Sequence, residues 1–156
     1  MSCLAQKTGH KKGDDQMKSL SIKLGVVLIG FLIFGYAEVW GADWKSFGKN
    51  EYYAGFYDAQ SITRPSKNIV RVSMRLDCKE TGVMDMVRRL GKKYENVSHL
   101  INLWEINCLE KKNRQLMVTS YDNKGGVIDS ETNPSAQWDF IISESLGDEL
   151  YKEVCK

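Results

Sequence analysis

The chain has 156 residues, and its 22 basic and 20 acidic residues give a formal net charge of +2 at pH 7. Five of the basic and three of the acidic residues precede Ala42, which leaves 17 of each sign in positions 42–156. This balance argues against a nucleic-acid-binding protein, because such proteins usually carry a marked basic excess.

An apolar run near the start of the chain predicts a secretory signal peptide over residues 17–41. A basic segment precedes the apolar residues 24–37. The small residues Val39 and Gly41 that follow suit cleavage by a signal peptidase near Gly41-Ala42. The alternative is an uncleaved membrane anchor, but these 14 positions (37 − 24 + 1) are fewer than the roughly 20 that span a bilayer. We therefore expect a periplasmic, secreted or cell-surface protein with no stable membrane anchor after cleavage.

Residues 1–16 are polar, lack apolar periodicity and would be an unusual preface to a signal peptide. We predict that they are a non-native or disordered extension and that translation starts at Met17. Cys3 and His10 would then lie outside the working protein.

The remaining 115 positions (156 − 41), residues 42–156, have the length of a single domain. Alternating apolar and polar residues, with aromatic residues in the second segment, predict strands at 44–47, 51–58 and 70–78. Pro65 predicts a turn at 64–68. The third strand is the clearest, because it places apolar residues on one face and polar residues on the other. Its apolar face consists of Val70, Val72, Met74, Leu76 and Cys78.

After this strand the apolar residues recur every three to four positions instead of every two, which predicts a helix from about Lys79 or Thr81 to Tyr94. Its apolar stripe consists of Val83, Met86, Val87 and Leu90. The opposite side carries a basic patch formed by Arg88, Arg89, Lys92 and Lys93. This basic patch could attract an anionic partner, although an ordinary solvated helix face has the same pattern.

Residues 99–108 predict a central strand with apolar residues on both faces, such as Trp104 on one and Leu103 on the other. Such a strand needs cover from a helix or from a partner subunit, so a homodimer is one expectation. Further strands are predicted at 115–121, 127–128 and 138–142. A capped C-terminal helix follows Ser145, with a buried stripe of Leu146, Leu150, Tyr151 and Val154.

Cys78, Cys108 and Cys155 allow three single disulfide bridges in an exported, oxidised protein. Cys155 follows Tyr151 by one turn at the border of the apolar stripe, so a helix on the sheet can present its sulfur to a strand. We favour Cys108 with Cys155, which leaves Cys78 as a buried free thiol. The alternative is Cys78 with Cys155.

Enzyme signatures are missing from the sequence, and we predict no catalytic residue, metal or cofactor. His99 is the sole histidine after Ala42, the cysteines lack zinc-ligand spacing, and no phosphate loop or nucleophile elbow is present. A Cys78 and His99 nucleophile pair is conceivable, but Cys78 is predicted on the core face and lacks thiolate character there. We expect a non-enzymatic binding or structural module of the envelope. The alternative is a periplasmic enzyme or enzyme inhibitor of unknown substrate.

An ordered series of landmarks resembles the bacterial surface-adhesin protein E family over nearly all of residues 42–156. The landmarks are residues 92–96, residues 103–108, Tyr121-Asp122 with Gly126, Trp138, and residues 145–155. The resemblance implies an α+β fold in which an antiparallel sheet of about six strands is bridged to a C-terminal helix, and it favours Cys108 with Cys155. It also implies adhesin-like binding of extracellular or envelope proteins, including matrix components such as vitronectin and laminin.

Overall fold

The computed structural model describes residues 41–156. The predicted extension at 1–16 and the predicted signal peptide, apart from Gly41, lie outside these residues, so both stay predictions. Among residues 41–156, no helix combines the length and the apolar character that crossing a membrane requires.

Eight strands and two helices make up the described chain. They are β1 (Trp44–Lys49), β2 (Tyr53–Asp58), β3 (Thr63–Ser66), β4 (Ile69–Cys78), α1 (Glu80–Leu90), β5 (Val97–Asn107), β6 (Lys112–Asp122), β7 (Val127–Thr132), β8 (Asp139–Phe140) and α2 (Leu146–Val154). Two short 3-10 turns lie at Ala59–Ser61 and Lys92–Tyr94.

All strand pairs are antiparallel, and six strands follow the order β1-β2-β4-β5-β6-β7. The short strands β3 and β8 lie off this path and pair with β4 and β6. This arrangement confirms the predicted α+β class, with one helix after the long strand β4 and a second helix at the C-terminus.

The two faces of the sheet differ because both helices pack on the same one. Val70, Val72 and Ile106 lie on that face, beneath Leu150 and Val154 of α2. A smaller cluster on the same face joins Met86 of α1 to Leu100 and to the turn residue Tyr94. We call this the helical face. The opposite side, which carries the alternate residues of β4, β5 and β6, is the open face.

A disulfide joins Cys108, just after β5, to Cys155 at the end of α2, with the two Cα atoms 5.5 Å apart. The Tyr151 hydroxyl also donates a hydrogen bond of 3.1 Å to the Cys108 carbonyl oxygen. The favoured pairing is confirmed. The alternative of Cys78 with Cys155 is wrong, because Cys78 ends β4 as a free, half-buried thiol.

Several predicted boundaries are wrong, and three of these differences have a clear structural context. The first helix ends at Leu90 and not at Tyr94, because Gly91 has φ 101° and the chain continues as a 3-10 turn. The predicted turn at 64–68 overlaps β3, so that only Lys67 and Asn68 form a turn. Pro65 is tolerated in β3 because this strand pairs only with β4. The predicted strand at 138–142 is shortened to Asp139–Phe140.

Asp148 stabilises the start of α2 through several contacts. The Ser145 hydroxyl oxygen accepts the Asp148 backbone N–H, and Asp148 Oδ2 accepts the Glu144 backbone N–H. Lys111 lies 2.8 Å from Oδ1 and Lys152 lies 3.1 Å from Oδ2. Lys111, Glu144 and Lys152 together lower the pKa of the Asp148 carboxyl below its usual range.

The lowered pKa of Asp148 predicts acid-sensitive stability. A carboxyl with a depressed folded-state pKa contributes stability above its unfolded pKa of about 4 and loses it as pH falls through the folded value. We expect the free energy of unfolding to fall less between pH 6 and pH 2 in Asp148→Asn than in the wild type. Urea denaturation at each pH measures the difference. Asp139→Asn on β8 is the control and keeps the wild-type pH dependence. An unchanged pH dependence in Asp148→Asn would contradict the role given to this carboxylate.

Candidate binding surface

Half-buried apolar side chains occupy the middle of the open face, where the described chain places no helix. Ile101 and Leu103 of β5 lie opposite Arg75 and Ser73 of β4, and both are half-buried. Met117 of β6 lies beside Leu103. The helical cover predicted for β5 is confirmed on its other face, which packs beneath both helices. On the open face, cover by a partner subunit stays a prediction.

A buried carboxylate stands beside these apolar residues. The strand register places Glu105 between Arg71 of β4 and Arg114 of β6. Glu105 is 3% exposed. Each arginine donates two hydrogen bonds to it, at 2.6 and 3.0 Å from Arg71 and at 2.6 and 2.8 Å from Arg114. Burial alone would raise the pKa of Glu105, but these bonds outweigh burial and lower it.

Two aromatic rings extend this group toward the sheet edge. The Arg114 guanidinium carbon lies 4.6 Å from the Trp138 ring centroid, and Lys112 Nζ lies 4.9 Å from that of Phe140. Phe140 is 76% exposed. We call Arg71, Glu105, Arg114, Trp138 and Phe140 the arginine–aromatic cluster.

Sequence analysis missed the arginine–aromatic cluster because its members come from separate strands. Glu105 was one available signal, since it interrupts an otherwise apolar strand between Trp104 and Ile106. A carboxylate at such a position requires paired cations, because a buried unpaired charge is costly.

Removing the charge of Glu105 tests this ion-pair network. We expect Glu105→Gln to lower the free energy of unfolding by about 2 kcal/mol, because four charge-assisted hydrogen bonds are weakened. Arg71 and Arg114 remain partly exposed and can turn to water, so the loss stays below that of a fully buried pair. Urea denaturation measures the change. The control is Glu131→Gln on the exposed edge strand β7, and equal effects in the two variants would contradict the network.

The four residues of the predicted basic patch divide between two elements. Arg88 and Arg89 belong to α1 and both pair with Asp85, whereas Lys92 and Lys93 lie on the 3-10 turn beyond Gly91. Lys93 Nζ lies 2.6 Å from Asp129, and Lys92 Nζ lies 4.0 Å from Glu95. Acidic partners therefore offset much of the positive charge, and attraction of an anionic partner stays a prediction.

Cys78 and His99 do not form a nucleophile pair. His99 lies opposite Asp77, which places its side chain on the open face, whereas Cys78 points to the helical face. Burial raises the pKa of the Cys78 thiol to about 11, with a smaller contribution from Asp77. Burial lowers the pKa of His99, with a smaller contribution from Arg75. Within residues 41–156, no cluster of His, Cys, Asp or Glu is arranged to hold a metal ion.

Comparison with known proteins places the chain in a family. The profile of the family described as surface-adhesin protein E matches residues 44–156. Among solved structures, crystal form II of Haemophilus influenzae protein E aligns with 13% identity and a TM-score of 0.47, covering 70% of this chain and 91% of that one. Another structure of Haemophilus influenzae protein E aligns with 13% identity and a TM-score of 0.43, covering 70% and 87%. No curated protein sequence matches.

The structural likeness to Haemophilus influenzae protein E is too distant to indicate a shared ligand. The sequence profile, in contrast, covers all eight strands and both helices. The described fold also has the bridged C-terminal helix that the resemblance implied. The chain therefore belongs to the surface-adhesin protein E family and is an adhesin-like surface protein.

Proposed function

We propose that this protein is a non-enzymatic module exported to the bacterial envelope, where it binds extracellular or envelope proteins through its open face. The observation that carries the proposal is the family match over residues 44–156. Matrix proteins such as laminin and vitronectin are the first partners to test, because the resemblance to the family implies them.

The chemistry of the open face supports its use as a protein-binding surface. Protein interfaces are enriched in arginine and aromatic residues, which also supply a large share of binding hot spots. The arginine–aromatic cluster offers both types beside the half-buried Ile101 and Leu103. Glu105 holds Arg71 and Arg114 in place before any partner arrives, so less side-chain entropy is lost on binding.

Export is supported by the covalent chemistry of the domain. Disulfides persist in oxidising compartments such as the periplasm and the cell surface, and this domain contains the Cys108–Cys155 bridge. Cleavage of the predicted signal peptide at 17–41 would release the domain without a membrane anchor.

Binding of the purified protein to immobilised laminin and vitronectin tests the proposal. We expect Trp138→Ala to weaken binding about tenfold or more, as the loss of an aromatic hot-spot residue does. The matched control is Met84→Ala, which removes an exposed side chain from α1 on the helical face. Absence of wild-type binding to both proteins, or equal binding by the two variants, would contradict the proposal.

A second copy of the chain is the other occupant that the open face could accept. Sedimentation of the wild type would then report a homodimer, and Leu103→Asp would report a monomer, because it places a charge among the half-buried apolar residues.

The basic residues Arg88, Arg89, Lys92 and Lys93 form a further proposed contact, for an anionic partner. Lys92 is the most exposed of these four side chains. Reversal of its charge in Lys92→Glu should weaken such a contact in low salt.

A further inference from the structure

We propose that the free edge of β7 accepts an extended peptide segment of another protein, and that a lysine or arginine of this segment pairs with Glu131. Strand β7 ends the path of the sheet and, among residues 41–156, pairs only with β6. At the opposite edge, α2 packs against β1. An edge strand presents unpaired backbone groups, to which another chain can add as a further strand. This contact goes beyond the proposed function, because it uses the edge of the sheet and its helical side and not the open face.

The register shows which backbone groups of β7 are available. The backbone N–H of Asn133, one residue beyond β7, donates to the Leu116 carbonyl oxygen of β6. Ser130 and Thr132 therefore occupy non-hydrogen-bonded positions, and their backbone N–H and C=O groups point away from β6. Asp129 Oδ1 accepts the Ser130 N–H at 2.9 Å, so an added strand must replace this bond. The other three outward groups have no hydrogen-bond partner within residues 41–156.

A cavity on the helical side adjoins this edge. Its volume is about 610 Å³, and Asp129 and Glu131 line it from β7. Side chains of an added strand alternate between the two sides of the sheet, and those on the helical side would lie beside Asp129 and Glu131. A strand that satisfies the free backbone groups of β7 therefore also places side chains at the cavity.

The charges at the cavity favour a basic side chain. Arg89 lies 3.4 Å from Asp85, and Lys93 lies 2.6 Å from Asp129. Both cations that line the cavity are thus already paired with a carboxylate. Glu131, in contrast, lines the cavity, is exposed and forms no ion pair within the described residues. A lysine or arginine opposite Glu131 supplies the missing charge, and opposite charges at cross-strand positions stabilise a sheet.

The mixed lining of the cavity suits the same side chains. Leu100 and Val118 contribute apolar surface, whereas Gln115 and Ser120 contribute polar groups. Lysine and arginine join an aliphatic stem to a charged end, so that they can contact both kinds of surface. The lining and the unpaired carboxylate therefore favour the same type of residue in the partner.

A second copy of this chain is a poor occupant of the β7 edge. Strand β7 contains Asp129 and Glu131 and no basic residue. Twofold antiparallel pairing centred on Ser130 would place Asp129 of each copy opposite Glu131 of the other, and like charges in such positions destabilise a sheet. The charge of β7 therefore favours a basic segment of a different protein.

Titration of the ¹⁵N-labelled protein with an extended peptide tests this inference. The probe is the acetylated and amidated peptide Thr-Val-Lys-Val-Thr, whose β-branched residues favour an extended chain. The control peptide has glutamine in place of the lysine. We expect the probe to shift the backbone N–H signals of Ser130 and Thr132 and to bind about fivefold more tightly than the control, as one cross-strand ion pair allows. Absence of these shifts, or equal affinity for both peptides, would overturn the inference.

Three variants make the test specific. Glu131→Gln should bind both peptides equally and still show the shifts of Ser130 and Thr132. Thr132→Pro removes an outward N–H that β6 does not use, and it should abolish binding of both peptides. Asp139→Asn removes an exposed carboxylate from β8 and should keep the wild-type preference. Retention of the lysine preference in Glu131→Gln, or of peptide binding in Thr132→Pro, would overturn the inference. A homodimer that Thr132→Pro converts to a monomer would also overturn it, because a second copy would then occupy the edge.

Discussion

We expect Cys155→Ser to lower the free energy of unfolding by about 4 kcal/mol, measured by urea denaturation under non-reducing conditions. The bridge spans 47 residues, and the chain-entropy model assigns a loop of this length about 4 kcal/mol through restriction of the unfolded chain. The nine residues of α2 are too few to be helical alone in water. The loss of the bridge should therefore also reduce the helical signal before the sheet unfolds.

Cys78→Ser is the matched control for this experiment. It also removes a thiol from the helical face, but Cys78 is free and half-buried. Its substitution should change the unfolding free energy far less than Cys155→Ser does. Equal losses in the two variants, or an unaffected Cys155→Ser protein, would contradict the view that the bridge attaches α2 to the sheet.

We expect Leu150→Ala to have the second large effect, a loss of about 3 kcal/mol of unfolding free energy. The Leu150 side chain is 0% exposed and packs in the cluster that contains Val70, Val72 and Ile106. Its truncation leaves a cavity between α2 and the middle of the sheet, which adds to the lost burial of apolar surface. Thermal or urea unfolding, followed by circular dichroism, measures the change.

The other helix supplies a matched leucine as control. Leu90 ends α1 and is 55% exposed, so Leu90→Ala should change the unfolding free energy by no more than about 0.5 kcal/mol. The contrast tests whether α2 covers the main core and α1 a smaller one. Comparable losses from the two substitutions would contradict that division.

The sequence predicts the parts of the fold that depend on local periodicity. The alternation of β4 correctly separates Val70 and Val72 from Arg71, because side-chain direction in a strand follows position alone. The stripe of α2 correctly predicts the burial of Leu150 and Val154. The Cys108–Cys155 bridge was favoured on the same basis, and the family resemblance supported it.

Local patterns fail where long-range pairing or a single backbone angle decides the structure. Leu90 completes the predicted stripe of the first helix, yet it is exposed because Gly91 ends the helix beside it. The contact of Arg71 and Arg114 with Glu105 depends on the register of three strands. Periodicity within one strand does not determine this register.

Labelling of intact bacteria with a membrane-impermeant, amine-reactive biotin tests the surface assignment most directly. Lys92 has a side chain that is 85% exposed and should react readily. We predict that the protein is biotinylated on intact cells to the same extent as after permeabilisation, while a periplasmic marker protein is labelled only after permeabilisation. Labelling that appears only once the outer membrane has been opened would contradict an adhesin-like surface protein.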